Sequence, residues 1–127
     1  MGFEAPLKVK HLGPKRWRLM APLPYRASDG TRYTAPLGFV TDFASVPRLP
    51  LAYLLTGNTA HKAAAVHDYL YDAGITSRKR ADQVFREAMR DSGVPYWRRA
   101  MMYRAVRAGG WLPWNRYRRR DADQGAA

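Results

Sequence analysis

Apolar and polar positions alternate along the first third of the chain, then take up a helical spacing after about residue 59. Leu7, Val9 and His11 interleave with Lys8 and Lys10, and Trp17 and Leu19 interleave with Arg16 and Arg18. This period of two predicts two half-buried strands, with Gly13-Pro14 turning between them. Tyr25-Arg26 and Thr31-Arg32-Tyr33-Thr34 flank Ser28-Asp29-Gly30, which predicts a second hairpin because an Asp-Gly pair suits positive φ. Gly38-Phe39-Val40-Thr41 reads as a further strand that leaves the sheet through Asp42-Phe43-Ala44-Ser45-Val46-Pro47. Arg48 to Leu55, broken by Pro50, reads as a connection with a short helical turn.

Three helices are expected next. Thr59 suits an N-cap for residues 60–73, which run until Gly74. Ser77 suits the cap of a second helix over 78–91, with Ala81, Val84, Phe85 and Ala88 as its apolar stripe and Ser92-Gly93 at its end. Pro95 then lies at the first turn of a third, running to about Ala108 before Gly109-Gly110. The expected fold is α+β, a small antiparallel N-terminal sheet followed by three packed helices. It forms a single domain over residues 1–127, with 1–46 mostly strands, 59–109 helical and 115–127 a basic then polar tail with nothing to bury.

Composition narrows the chemistry. There is no cysteine, which excludes disulfides, thiolate zinc sites and a cysteine nucleophile. No run reaches the ~18 apolar residues of a membrane span, and the N-terminus does not read as a signal peptide. The net charge is +12 and its placement is uneven: no acid occurs between Asp91 and Asp121. Arg98, Arg99, Arg104, Arg107, Arg116, Arg118, Arg119 and Arg120 fill that stretch. With Trp111 and Trp114 they form the expected partner-binding surface, toward another protein, nucleic acid or an anionic envelope surface.

The candidate site centres on Val66-His67-Asp68-Tyr69-Leu70-Tyr71. His67 and Tyr71 are four apart and share one helix face, above the small residues Ala60, Ala63 and Ala64. Asp82 sits at the edge of the second helix's apolar stripe, so an antiparallel pair of helices brings it beside His67. A carboxylate behind an imidazole fixes its tautomer and raises its basicity, as a general base requires. The same pair also serves as a polar contact in a small core, and the residues alone leave both readings open. For zinc, the workable scheme combines His67 with Asp42, Asp68 or Asp82. His11, among alternating lysines, reads as a surface or edge residue, and His61, near a helix start, as solvated.

Four motifs in order, Gly38-Phe39-Val40-Thr41-Asp42-Phe43-Ala44-Ser45-Val46-Pro47, Ala65-Val66-His67-Asp68-Tyr69-Leu70-Tyr71, Arg80-Ala81-Asp82-Gln83-Val84-Phe85 and Tyr103-Arg104-Ala105-Val106-Arg107, span nearly the whole chain. Their combination resembles an uncharacterised family of tailed bacteriophages and prophages, carried as a domain of unknown function. The resemblance implies a phage origin, with the host cytoplasm and then the virion as location. Locally, His67-Asp68, Tyr71 and Asp82 also resemble secreted calcium-dependent phospholipases. That resemblance implies water activation by His67, orientation of His67 by Asp82, hydrogen bonding by Tyr71 and calcium binding by Asp68; Asp42 is the further candidate metal ligand among the residues. This chain departs from those enzymes in having no disulfides and no glycine-rich calcium loop, since only Gly38 precedes Asp42. Calcium is therefore the cofactor this resemblance implies, while the residues by themselves require none. The reading ranked first is a virion or tail-associated structural or assembly protein that docks on other phage virion proteins. A hydrolase of host-envelope esters or amides, with His67 as general base, ranks second, and a nucleic-acid-binding protein third.

Overall fold

The computed structural model describes residues 2–13, 16–41 and 61–126. Asp42, the rest of the Asp42–Pro47 exit segment, the 48–55 connection and the Thr59 cap lie outside them. Six strands occur among the described residues: β1 (Gly2–Phe3), β2 (Val9–Gly13), β3 (Arg16–Leu19), β4 (Leu23–Arg26), β5 (Arg32–Ala35) and β6 (Val40–Thr41). They pair antiparallel in two three-stranded sheets, ordered β1-β4-β5 and β2-β3-β6, where the sequence pattern predicted one.

The alternation in β4 and β5 decides which face is buried. Leu23 pairs with Ala35 and Tyr25 with Tyr33, and all four are buried, while Arg26 opposite Arg32 is exposed. The hairpin closes over Asp29-Gly30, where Gly30 has φ +87° and the Asp29 carboxylate accepts from the Thr31 N–H at 2.9 Å. β3 lies between β2 and β6, so Leu19 is buried, whereas His11 on the edge strand β2 is exposed and stacks on Trp17.

Four helices follow: α1 (His61–Ala73), α2 (Arg78–Asp91), α3 (Tyr96–Gly109) and α4 (Trp111–Ala126). α1 buries eight of its 13 residues, and it packs against α2, α4 and strands β4, β5 and β6. The run Ala63-Ala64-Ala65, fully buried, keeps its surface thin enough for neighbours on several sides. α2 starts where Ser77 Oγ accepts from the Arg80 N–H at 3.1 Å, and its expected stripe of Ala81, Val84, Phe85 and Ala88 is entirely buried. Polar ties lock α2 to the β4–β5 hairpin. The Tyr25 hydroxyl donates to Asp91 at 2.7 Å, the Ser28 N–H to Glu87 at 3.0 Å and Arg80 to Asp29 at 3.1 Å.

The fourth helix corrects the expectation of three helices and a polar tail. Gly109-Gly110 does end α3, but the chain turns over one residue and enters α4. Trp114, Tyr117, Arg118 and Asp121 recur at helical spacing, and the two aromatics pack against the core. Arg118 donates to the carbonyls of Tyr71 and Asp72 at 2.8 and 2.7 Å, satisfying the orphan end of α1. Gly74, at φ +64°, ends α1 directly beneath this guanidinium, leaving no room for a Cβ.

Gly110 is required for space rather than backbone freedom. Its φ of −70° suits any residue, but a Cβ there would collide with the Tyr71 hydroxyl and the Val106 carbonyl. Gly110→Ala is therefore expected to cost about 1–3 kcal/mol, the usual range for overpacking a tight site. Chemical denaturation measures it, and a loss below about 0.5 kcal/mol, as for a neutral surface change, would show that the contact relaxes freely.

Candidate functional site

α1 carries His67 and Tyr71 one turn apart, and α2 carries Asp82 one turn after Arg78. Packing of the two helices places His67 Nε2 2.8 Å from Asp82 Oδ1, and the Tyr71 hydroxyl donates to the same oxygen at 2.6 Å. Asp82 Oδ2 accepts from Arg107 of α3 at 2.7 Å and lies 3.5 Å from the Arg78 guanidinium. Arg78 also donates to the carbonyl of Val106 at 3.1 Å, near the end of α3. One carboxylate thus joins α1, α2 and α3. His67, Tyr71 and Asp82 each have 0% exposure.

Protonation states follow from this geometry. Burial pushes the Asp82 carboxyl up, but hydrogen bonds from His67, Tyr71 and Arg107 outweigh it and hold its pKa below the ordinary value. For His67 burial dominates over the pull of Asp82, so its pKa is lowered and the ring is neutral near pH 7. An ionised carboxylate only accepts, so Nε2 carries the proton and Nδ1 the lone pair. Burial and the Asp82 contact push the Tyr71 hydroxyl up, which keeps it a donor.

These shifts give a pH dependence of stability. The unfolded chain protonates His67 near pH 6.5, whereas the buried ring resists, so stability falls as pH drops through that value. His61, half-buried at the start of α1 rather than solvated, contributes in the same direction because burial lowers its pKa too. The stabilisation from Asp82 is complete above the unfolded value of ~3.9 and is lost as pH falls through its lower folded value. Denaturant melts should therefore weaken from pH 7.5 to 5.5, and His67→Gln should remove part of that step. An undiminished step in the variant would mean that His67 titrates alike in both states.

The expected metal ligand Asp68 lies on the other flank of α1, 1% exposed. Its Oδ2 accepts from the Thr41 hydroxyl at 2.6 Å, and Oδ1 lies 3.4 Å from the Tyr117 hydroxyl. Calcium takes six to eight oxygen ligands. Among the described residues no group of three His, Asp or Glu side chains is placed to hold a metal, and Asp42 lies outside them. The described residues thus do not fit a calcium or zinc centre.

The residues expected to bind a partner divide into two sets. Arg107, Arg118 and Arg120 turn inward, to Asp82, to the end of α1 and to Asp72 respectively. Trp114 is half-buried and meets Tyr71 edge-on, with 5.3 Å between ring centroids. Arg104, Arg116, Arg119 and Trp111 are exposed, and Arg98 and Arg99 are partly so, stacked near Trp97 and Tyr96. Sequence reading missed Arg78 and Arg107 as partners of Asp82. The four-residue spacing from Arg78 to Asp82 was an available signal, whereas Arg107 comes from a separate helix and has no local one. Thr41 and Tyr117 as partners of Asp68 were equally unmarked.

The fold and site define an α+β protein whose helices are held around an internal His-Tyr-Asp-Arg cluster. The chain belongs to the family described as "Protein of unknown function (DUF1353)", whose model matches residues 17–106. That span runs from β3 into α3 and takes in His67, Tyr71, Arg78 and Asp82, stopping one residue short of Arg107. No curated protein and no solved structure matches it. No helix among the described residues is long and apolar enough to cross a membrane.

Proposed function

We propose that the chain is a bacteriophage-encoded structural or assembly component of the virion, tail-associated, in which the His67–Asp82 cluster holds the helices together. The observation that carries this reading is the complete burial of His67 and Asp82, with both carboxylate oxygens engaged by His67, Tyr71 and Arg107. A general base must lie within about 2.6–3.2 Å, heavy atom to heavy atom, of the group whose proton it removes, or reach it through one water. A ring with 0% exposure offers no such approach. The four phage-type motifs support the origin, and the exposed Arg104, Arg116, Arg119 and Trp111 supply a surface for docking. Mass spectrometry of purified particles from the encoding phage or induced prophage tests it. A fixed copy number per particle is expected, and absence from the particles would overturn the virion assignment.

One observation favours a second reading, a hydrolase of host-envelope esters or amides. The Asp82 carboxylate sits behind the imidazole and fixes its orientation, as in a general-base histidine. Release of fatty acid from envelope lipids by the purified chain, with and without calcium, decides it. No release above background is expected, and release abolished by His67→Gln would establish the hydrolase instead.

A further inference from the structure

A shallow groove runs between α2 and α3, and it uses none of the hub residues. Arg86 and Arg90 reach it from α2, one turn apart, and Tyr96, Arg99, Tyr103 and Arg104 line it from α3. The Arg86 guanidinium lies 4.2 Å from the centroid of the Tyr103 ring, and that of Arg99 lies 5.2 Å from Tyr96. Tyr96 is 73% exposed. Among the described residues, no carboxylate pairs with Arg86, Arg99 or Arg104. Glu87, the acid at the groove's edge, is turned away to Ser28 and Arg80.

Charge alone would suit any polyanion. The rings narrow the choice, because an exposed tyrosine beside stacked guanidinium groups offers flat π faces that match an unpaired base more closely than the carboxylates of an acidic peptide or the sulfates of a sugar. Unpaired bases can use them, stacking on the rings while the phosphates meet the arginines. In a duplex the bases are already stacked on one another, and the rings would stay idle. We infer that this groove binds single-stranded nucleic acid through phosphate contacts to Arg86, Arg99 and Arg104 and base stacking on Tyr96. This assignment stands whether or not the chain is a virion component.

Fluorescence anisotropy of the full chain with a labelled oligothymidylate tests it, alongside duplex DNA, heparin and polyglutamate. With about three phosphates neutralised the slope of log affinity on log salt is about −2, so affinity should fall roughly twentyfold between 50 and 200 mM. Arg104→Gln should weaken binding and make the slope shallower by about 0.7. Tyr96→Ala, on an exposed side chain, should leave the melting temperature unchanged and weaken oligothymidylate roughly fivefold or more per lost stack. Heparin affinity should not respond to that change. Four results would overturn the assignment: no oligothymidylate binding at 50 mM salt, tighter binding to duplex, an unaltered affinity in Tyr96→Ala, or an equal loss for heparin. The last two would reduce the groove to a non-selective charge sink.

Discussion

Asp82→Ala is expected to be the most damaging single substitution in the chain. It removes the acceptor shared by His67 and Tyr71 and strips the counter-ion from Arg107 and Arg78 in one step. Breaking a buried ion pair by deleting one partner costs about 3–5 kcal/mol, because the remaining groups stay desolvated and unpaired. Against the ~5–15 kcal/mol of a typical domain, that leaves little folded protein at physiological temperature. Urea denaturation at pH 7.5 measures it. The gap from the wild type should narrow in strong acid, where the native carboxylate also loses its charge. A loss of under about 1 kcal/mol at pH 7.5 would mean the cluster contributes little to stability, since exposed pairs have that value.

Removal of α4 should have an effect of similar size. Ending the chain after Gly110 strips Trp114 from Tyr71, Tyr117 from the core, and the Arg118 and Arg120 donors from the end of α1. Two partly buried aromatics contribute about 1.5–3 kcal/mol together when burial is incomplete, and charge-assisted hydrogen bonds about 1.5–3 kcal/mol each. With one such contribution each for Arg118 and Arg120, the expected loss is about 4–9 kcal/mol, enough to abolish a cooperative melt. Ending the chain after Asp121 removes the exposed Ala122, Asp123, Gln124 and Gly125 with the two terminal alanines, and should change stability by less than about 0.5 kcal/mol. Equal behaviour of the two truncations would contradict the role assigned to α4.

Local signals in the sequence reached their limit where contacts became non-local. The strand alternation at Tyr25 and Tyr33, the Asp29-Gly30 turn, the Ser77 cap and the stripe of α2 each depend on neighbours within a few residues, and each appears where expected. The His67–Asp82 contact was legible for a similar reason, since the helices are successive and both residues lie on facing edges. Splitting of the strands into two sheets was not, because it depends on which long-range pairs form: β1 with β4 and β3 with β6. The last helix was hidden by composition. Arginine-rich sequence reads as solvated, yet Arg118 is folded back on α1 and only its spacing from Trp114 betrayed an inward face. Arg107 was misdirected in the same way, outward toward a partner when its charge is taken by Asp82.

The claim that His67 is structural is tested most directly by His67→Gln in the phage itself, with the purified variant's melt measured in parallel. Glutamine keeps a donor for Asp82 but accepts no proton at neutral pH, so it separates holding the core from catalysis. The predicted result is a lower melting temperature, from a loss of about 1–3 kcal/mol, with infectivity unchanged wherever the protein remains folded. A fully folded variant that loses about 10²–10⁴ in a wild-type hydrolytic rate, and infectivity with it, would contradict the account and make His67 a general base.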